Sequence, residues 1–144
     1  SDMFSGPVDA GGIARIAEPS PVPVIANGDS SSPGAARDLL KSSGASGIMI
    51  GRGALGRPWI FRELSGGGSE KPSREEFVTT VVRHLSMMKE TIPPPWVYHL
   101  MRGHLVHYLK GFRGASALRS RAVSVESDED VMTLCRLAAE TIEG

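Results

Sequence analysis

The sequence predicts an α/β segment followed by an all-α segment. Three observations support this. Residues 22–50 read strand, helix, strand with short connections. Both strands end in glycine beside polar residues, Asn27-Gly28-Asp29 and Gly51-Arg52-Gly53. Beyond the polar glycine stretch SGGGS at 65–69, every apolar pattern has helical spacing. The expected organisation is an α/β portion at 1–64, a linker at 65–72 and a helical portion at 73–144.

The 144 residues suffice for an ordinary core. Hydrophobic residues make up 40% and charged residues 22%, and 16 basic residues balance 16 acidic ones. That composition is globular, with no global bias toward polyanionic or acidic partners. A single cysteine rules out an internal disulfide and suits a reducing compartment. No apolar run is long enough to span a membrane, and the first residues lack the basic and apolar regions of a signal peptide, so the expected location is the cytoplasm.

Each element has a local cause. Residues 1–7 (SDMFSGP) read as a loop. Asp9 can cap a short helix through Ala17 with Ile13 and Ile16 inward, although Gly11 and Gly12 weaken it by roughly 1 kcal/mol each. Residues 22–26 (VPVIA) form a near-continuous apolar run, which suits a strand covered on both faces. Ser32 and Pro33 make a helix start, Ala36, Leu39 and Leu40 its buried face, and Gly44 its stop. Residues 47–50 form the second strand. A βαβ unit makes the two strands parallel with a right-handed crossover, and ligands sit at the carboxyl ends of such strands.

Those ends suit a phosphate. Glycine lets backbone N–H groups come close to an anion, and Arg52 adds a permanently charged fork of donors. A lone Gly-Arg-Gly is more often a tight turn with a surface arginine, but two adjacent anion-suited ends are more informative than either alone. In closed (β/α)8 barrels, phosphates commonly sit at the loops after the last two strands.

In the helical portion, Ser73 and Glu76 form a capping box. The helix they start puts Phe77, Val81, Val82, Leu85 and Met88 on one stripe. After Pro93-Pro94-Pro95 a second helix runs to about Lys110, with Leu100, Met101, Leu105 and Tyr108 inward and His99, Arg102 and Lys110 opposite. Trp96 is read as a packing anchor, with base stacking as the alternative. His104 points toward the apolar stripe as a hydrogen-bonded core histidine. No histidine has metal-ligand spacing. A short helix near 115–122 carries Arg119 and Arg121. Ser127 and Asp130 start the last helix, whose stripe is Val131, Leu134, Cys135, Ala138 and Ile142. Cys135 in that stripe is a buried, inert thiol and no catalytic residue is assigned.

With these residues laid out, the chain resembles the C-terminal half of a bacterial-type tRNA-dihydrouridine synthase. The matching stretches are MFSGPVD (3–9), PVIANGD (23–29), GIMIGRGALGRPWIFREL (47–64) and MRGHLVHYLKGFRGASALR (101–119), in the family's order. The resemblance implies the last βαβ portion of an FMN-dependent TIM (β/α)8 barrel followed by a helical tRNA-binding domain. It implies NADPH-linked reduction of particular tRNA uridines to dihydrouridine. It carries FMN contacts onto Asn27, Gly28 and Asp29 at one strand end and Gly51 and Arg52 at the other. Asp29, a carboxylate beside phosphate, is expected to turn away toward backbone N–H groups. RNA contact falls on Arg102 and Lys110.

The family's first six strands, with its catalytic cysteine and its flavin-contacting lysine and histidine, have no match here. The expectation is therefore a fragment, inactive alone, whose strands pair with missing strands or with another copy. Two other readings fit the residues taken by themselves: another barrel enzyme binding flavin or a phosphate ligand, and a non-catalytic RNA-binding helical module.

Overall fold

A computed structural model describes residues 8–28, 30, 32–67, 71–111 and 113–142. The chain divides into two compact units, Ser1–Ala54 with Pro58–Glu70, and Leu55–Arg57 with Lys71–Gly144.

The first unit holds helix α1 (Ala10–Ala17), strand β1 (Ile25–Asn27), helix α2 (Pro33–Ser43), strand β2 (Gly47–Met49), a 3-10 turn at Arg52–Ala54 and helix α3 (Ile60–Leu64). Asp9 caps α1 by accepting a 2.8 Å hydrogen bond from the Gly12 amide. A Cβ on Gly12 would stand 2.5 Å from that carboxylate, so the glycine that lowers helix propensity also lets the cap close. Ser32 caps α2, Pro33 opens it, and Gly44 ends it at φ +60°. β1 and β2 are parallel, with Ile25 opposite Gly47, Ala26 opposite Ile48 and Asn27 opposite Met49. The Arg37 guanidinium donates to the Glu63 carbonyl at 3.1 Å and ties α2 to α3.

One core cluster of this unit joins buried Ala26, Leu39 and Ala45, with Val8, Ala10, Ile13 and Ile48 packed against them, and Ala36 and Ile60 are buried as well. Here three expectations fail. Ile16 is 66% exposed rather than inward, Leu40 is 38% exposed, and Ile25 is 59% exposed, so β1 is covered on one face only. An apolar run says that a strand can be covered on both sides. It does not say that the covering atoms lie within the same chain segment.

The second unit holds helices α4 (Arg74–Lys89), α5 (Trp96–Tyr108), α6 (Ala115–Ala122) and α7 (Asp128–Ala139). Ser73 and Ser127 cap α4 and α7 by accepting from the amides of Glu76 and Asp130. Phe77, Val81 and Leu85 of α4 meet Val97, Met101, Leu105 and Tyr108 of α5 and Val131, Leu134, Cys135 and Ala138 of α7 in one buried core. Leu100, expected inward, is 49% exposed. Gly56 belongs to this unit. It sits at φ +70°, and a Cβ there would lie 2.3–2.5 Å from backbone atoms of His107 and Tyr108. Only glycine permits that approach.

Candidate functional site

The β1–β2 register decides the geometry of the strand ends. Asn27 pairs with Met49, so the two following loops leave the same end of a parallel pair, whose strands are about 4.8 Å apart. Asn27 is exposed at that end. The two glycines differ. A Cβ on Gly28 would meet the Val8 and Leu39 side chains at 2.6–2.9 Å, so Gly28 is glycine because the core presses on it. A Cβ on Gly51 would meet nothing within 4 Å, so its backbone faces open space. Arg52 opens the 3-10 turn and is exposed, and the Ala54 amide closes the turn on the Gly51 carbonyl at 3.0 Å.

Ser30, just past the first loop, is 5% exposed, and its hydroxyl has no hydrogen-bond partner among the described residues. Its amide folds back to the Gly28 carbonyl at 2.6 Å. Asp29 lies outside the described residues, as do residues 3–7 of the first matching stretch. Open backbone at Gly51, an exposed arginine next to it and a second glycine turn alongside form a donor set that fits a phosphate.

In the second unit α5 has two faces. Val97, Met101, Leu105 and Tyr108 are buried, while Trp96, His99, Leu100, Gly103 and His107 are exposed at spacings of three and four along the opposite stripe. Lys110, just past the helix, is exposed as well. Arg102 does not share that stripe. Its Nε donates to the Val125 carbonyl at 2.9 Å and its Nη2 lies 3.5 Å from Glu126, with the side chain only 27% exposed. The guanidinium is committed to holding the 125–126 turn against α5. Trp96 is 64% exposed, so it is not the packing anchor that the prolines before it suggest.

Two polar clusters brace the helices. The Lys89 ammonium and the Tyr98 hydroxyl both donate to Asp128, joining the ends of α4, α5 and α7. That hydrogen bond from Lys89 is the main reason that Asp128 is held below its ordinary carboxylate value and Lys89 above its ordinary amine value. His84 Nδ1 lies 3.2 Å from the Tyr108 hydroxyl, and its ring meets His104 edge-on with centroids 4.6 Å apart. Burial pushes both imidazoles below their ordinary value. His84 is pushed further by His104, and His104 by His107. The Cys135 thiol is buried and pushed up to about 12 by burial, which leaves it un-ionised and inert at neutral pH. Among the described residues no group of three metal-ligating side chains comes together, and no helix is long and apolar enough to cross a membrane.

Sequence reasoning missed the roles of Arg102, Trp96 and Gly56. Gly56 alone left a signal, as a glycine between apolar residues in GALGRPW. The exposure of Trp96 depends on which of α5's two apolar faces finds a partner, and spacing alone does not choose between them.

The chain thus carries a parallel strand–helix–strand unit and a set of packed helices. The family model for dihydrouridine synthase matches residues 1–143. The chain belongs to the dihydrouridine synthase family. It is 31% identical over 134 residues to tRNA-dihydrouridine synthase B of Pseudomonas putida, covering 90% of this chain and 40% of that protein. It is 34% identical to the protein of the same name in Pseudomonas syringae pv. tomato, with the same coverage. It is also 34% identical to a probable tRNA-dihydrouridine synthase of Mycobacterium tuberculosis, covering 91% of this chain and 35% of that one. The chain thus spans well under half the length of these relatives.

Proposed function

We propose that these residues are the cofactor-phosphate and RNA-binding part of a cytoplasmic, FMN-dependent tRNA-dihydrouridine synthase. The complete enzyme reduces particular tRNA uridines to 5,6-dihydrouridine with NADPH as reductant. The observation that carries this reading is the register that sets the Asn27-Gly28 and Gly51-Arg52 ends side by side, in a chain of the dihydrouridine synthase family.

Bound FMN supplies hydride transfer to the uracil ring. The residues here bind and orient. The backbone at Gly51, with no side chain in the way, donates to a phosphate oxygen, and Gly28 and Asn27 face the same group from the neighbouring loop. Arg52 neutralises its charge. The proton donor to the substrate ring is not Cys135, whose thiol is buried among Val131, Leu134 and Ala138. The helical unit holds tRNA through Lys110 and its neighbours, while Arg102 shapes the surface they stand on.

The test is FMN titration of the complete enzyme carrying Arg52→Ala. Affinity falls by about tenfold or more, as loss of a charge-assisted bond to phosphate requires. Unchanged binding would remove Arg52 from the site.

A further inference from the structure

The charge of this chain is unevenly placed. Its net charge is zero, yet residues 91–125 contain five Lys and Arg, three His and no Asp or Glu. Most of that stretch is α5 and α6. On its exposed side α5 carries an apolar pair one turn apart, Trp96 at 64% and Leu100 at 49% exposure. His99 lies between them, and Gly103, with nothing within 4 Å of its missing Cβ, comes one turn further on.

A tryptophan this exposed, on a helix that buries Val97, Met101 and Leu105, is a feature to explain. Its surroundings say what it meets. An acidic partner peptide and a nucleic acid both suit a basic stretch. A flat exposed aromatic ring on a helix of that basic stretch, with an exposed glycine further along the same stripe, suits an unpaired nucleobase best, since every base has a face that can stack. Arg102 does not compete for this role, because its guanidinium is bonded to Val125 and Glu126.

We infer that Trp96 is a stacking platform for an unpaired base of the RNA, with Leu100 flanking it on the next turn and Lys110 following the phosphate chain. The inference rests on the RNA-binding reading above and adds to it a named contact of different chemistry. Phosphate contacts release counterions and weaken steeply with salt, whereas a stacked ring does not.

The experiment measures binding of the full chain to a labelled tRNA transcript, and to a fully base-paired RNA of equal length, across a salt series. Trp96→Ala weakens transcript binding about tenfold at each salt concentration and leaves the salt slope unchanged. Trp96→Phe stays within a few-fold of the parent. Trp96→Leu, apolar but without a ring face, behaves like Trp96→Ala. Duplex binding is the same for all. Lys110→Ala, by contrast, lowers the salt slope by about one. Parent-like binding by Trp96→Ala or Trp96→Leu overturns the stacking role alone and leaves the RNA reading in place. A parent chain that binds no RNA even at low salt overturns both. A parent chain that self-associates, with Trp96→Ala monomeric and unchanged in RNA affinity, assigns the face to a second copy instead. Trp96 is exposed, so circular dichroism and Tm of the variants match the parent.

Discussion

Gly28 and Gly51 look equivalent in the sequence, each closing a strand beside polar residues, yet the structure gives them opposite duties. Gly28 carries the packing of Val8 and Leu39, and Gly51 carries open space. Gly28→Ala therefore overpacks the small core and costs about 1–3 kcal/mol of stability, read as a lowered Tm. Gly51→Val leaves Tm within error, because nothing crowds the new side chain. In the complete enzyme it lowers FMN affinity about tenfold by standing where the phosphate approaches. If Gly51→Val binds FMN as the parent does, the cradle is elsewhere. Gly56 is a third case. Its φ of +70° and the His107 backbone 2.3 Å from a virtual Cβ leave no room for alanine. Gly56→Ala detaches residues 55–57 from α5 at a cost of about 1–3 kcal/mol, seen as a Tm drop with faster amide exchange confined to that contact. The two strand-end glycines were legible as a pair of turns in the sequence. Their division of labour was not, because it depends on Val8 and Leu39, residues far from Gly28 in the chain.

At the scale of elements, capping chemistry was the most legible signal. Ser32 with Pro33, Gly44, Ser73 and Ser127 mark helix ends that the structure places within a residue, because a cap is a local event between neighbours. Burial was less legible. α5 is apolar on two sides, and only its packing partners, α4 and α6, decide that Met101 goes in and Leu100 stays out. The α4–α5 contact also has a pH response. His84 and His104 face each other with Tyr108 and His107 on α5 nearby and Cys135 on α7 behind Tyr108. Both histidines sit below the ordinary imidazole value of about 6.5, so the unfolded chain takes up protons before the folded one does. Their contribution to stability is complete above about pH 6.5, declines as pH falls through that value, and levels off below the folded pKa values. Thermal unfolding from pH 8 to pH 5 should show Tm falling over this window. His84→Gln should flatten the fall while Asp128, which titrates lower still, is unaffected. A Tm constant across the window would mean that the pair is protonated equally in both states.

The chain as a whole distributes its apolar burial unevenly. The helical unit buries Phe77, Met101, Leu105, Leu109 and Val131 at 1% exposure or less, each worth about 1.5–3 kcal/mol. The βα unit buries Ile60, Leu39 and the small side chains of Ala26, Ala36 and Ala45, and leaves Ile16, Val22, Ile25 and Met49 more than half exposed. The relatives are more than twice this length, and on the reading proposed above further strands of the complete enzyme would cover Ile25 and Met49 and pair the open edges of β1 and β2. For the 144-residue chain by itself, amides of β1, β2 and α2 should exchange with solvent much faster than those of α4, α5 and α7, since local opening there exposes little that is not exposed already. The same chain, given FMN, NADPH and a tRNA transcript, should form no dihydrouridine if the reading proposed above holds, because its one thiol, Cys135, is buried in the helical unit away from any substrate. Equal protection of the two units would mean that another copy covers Ile25 and Met49 in solution. Dihydrouridine made by this chain without any other polypeptide would mean that a proton donor lies among its own 144 residues.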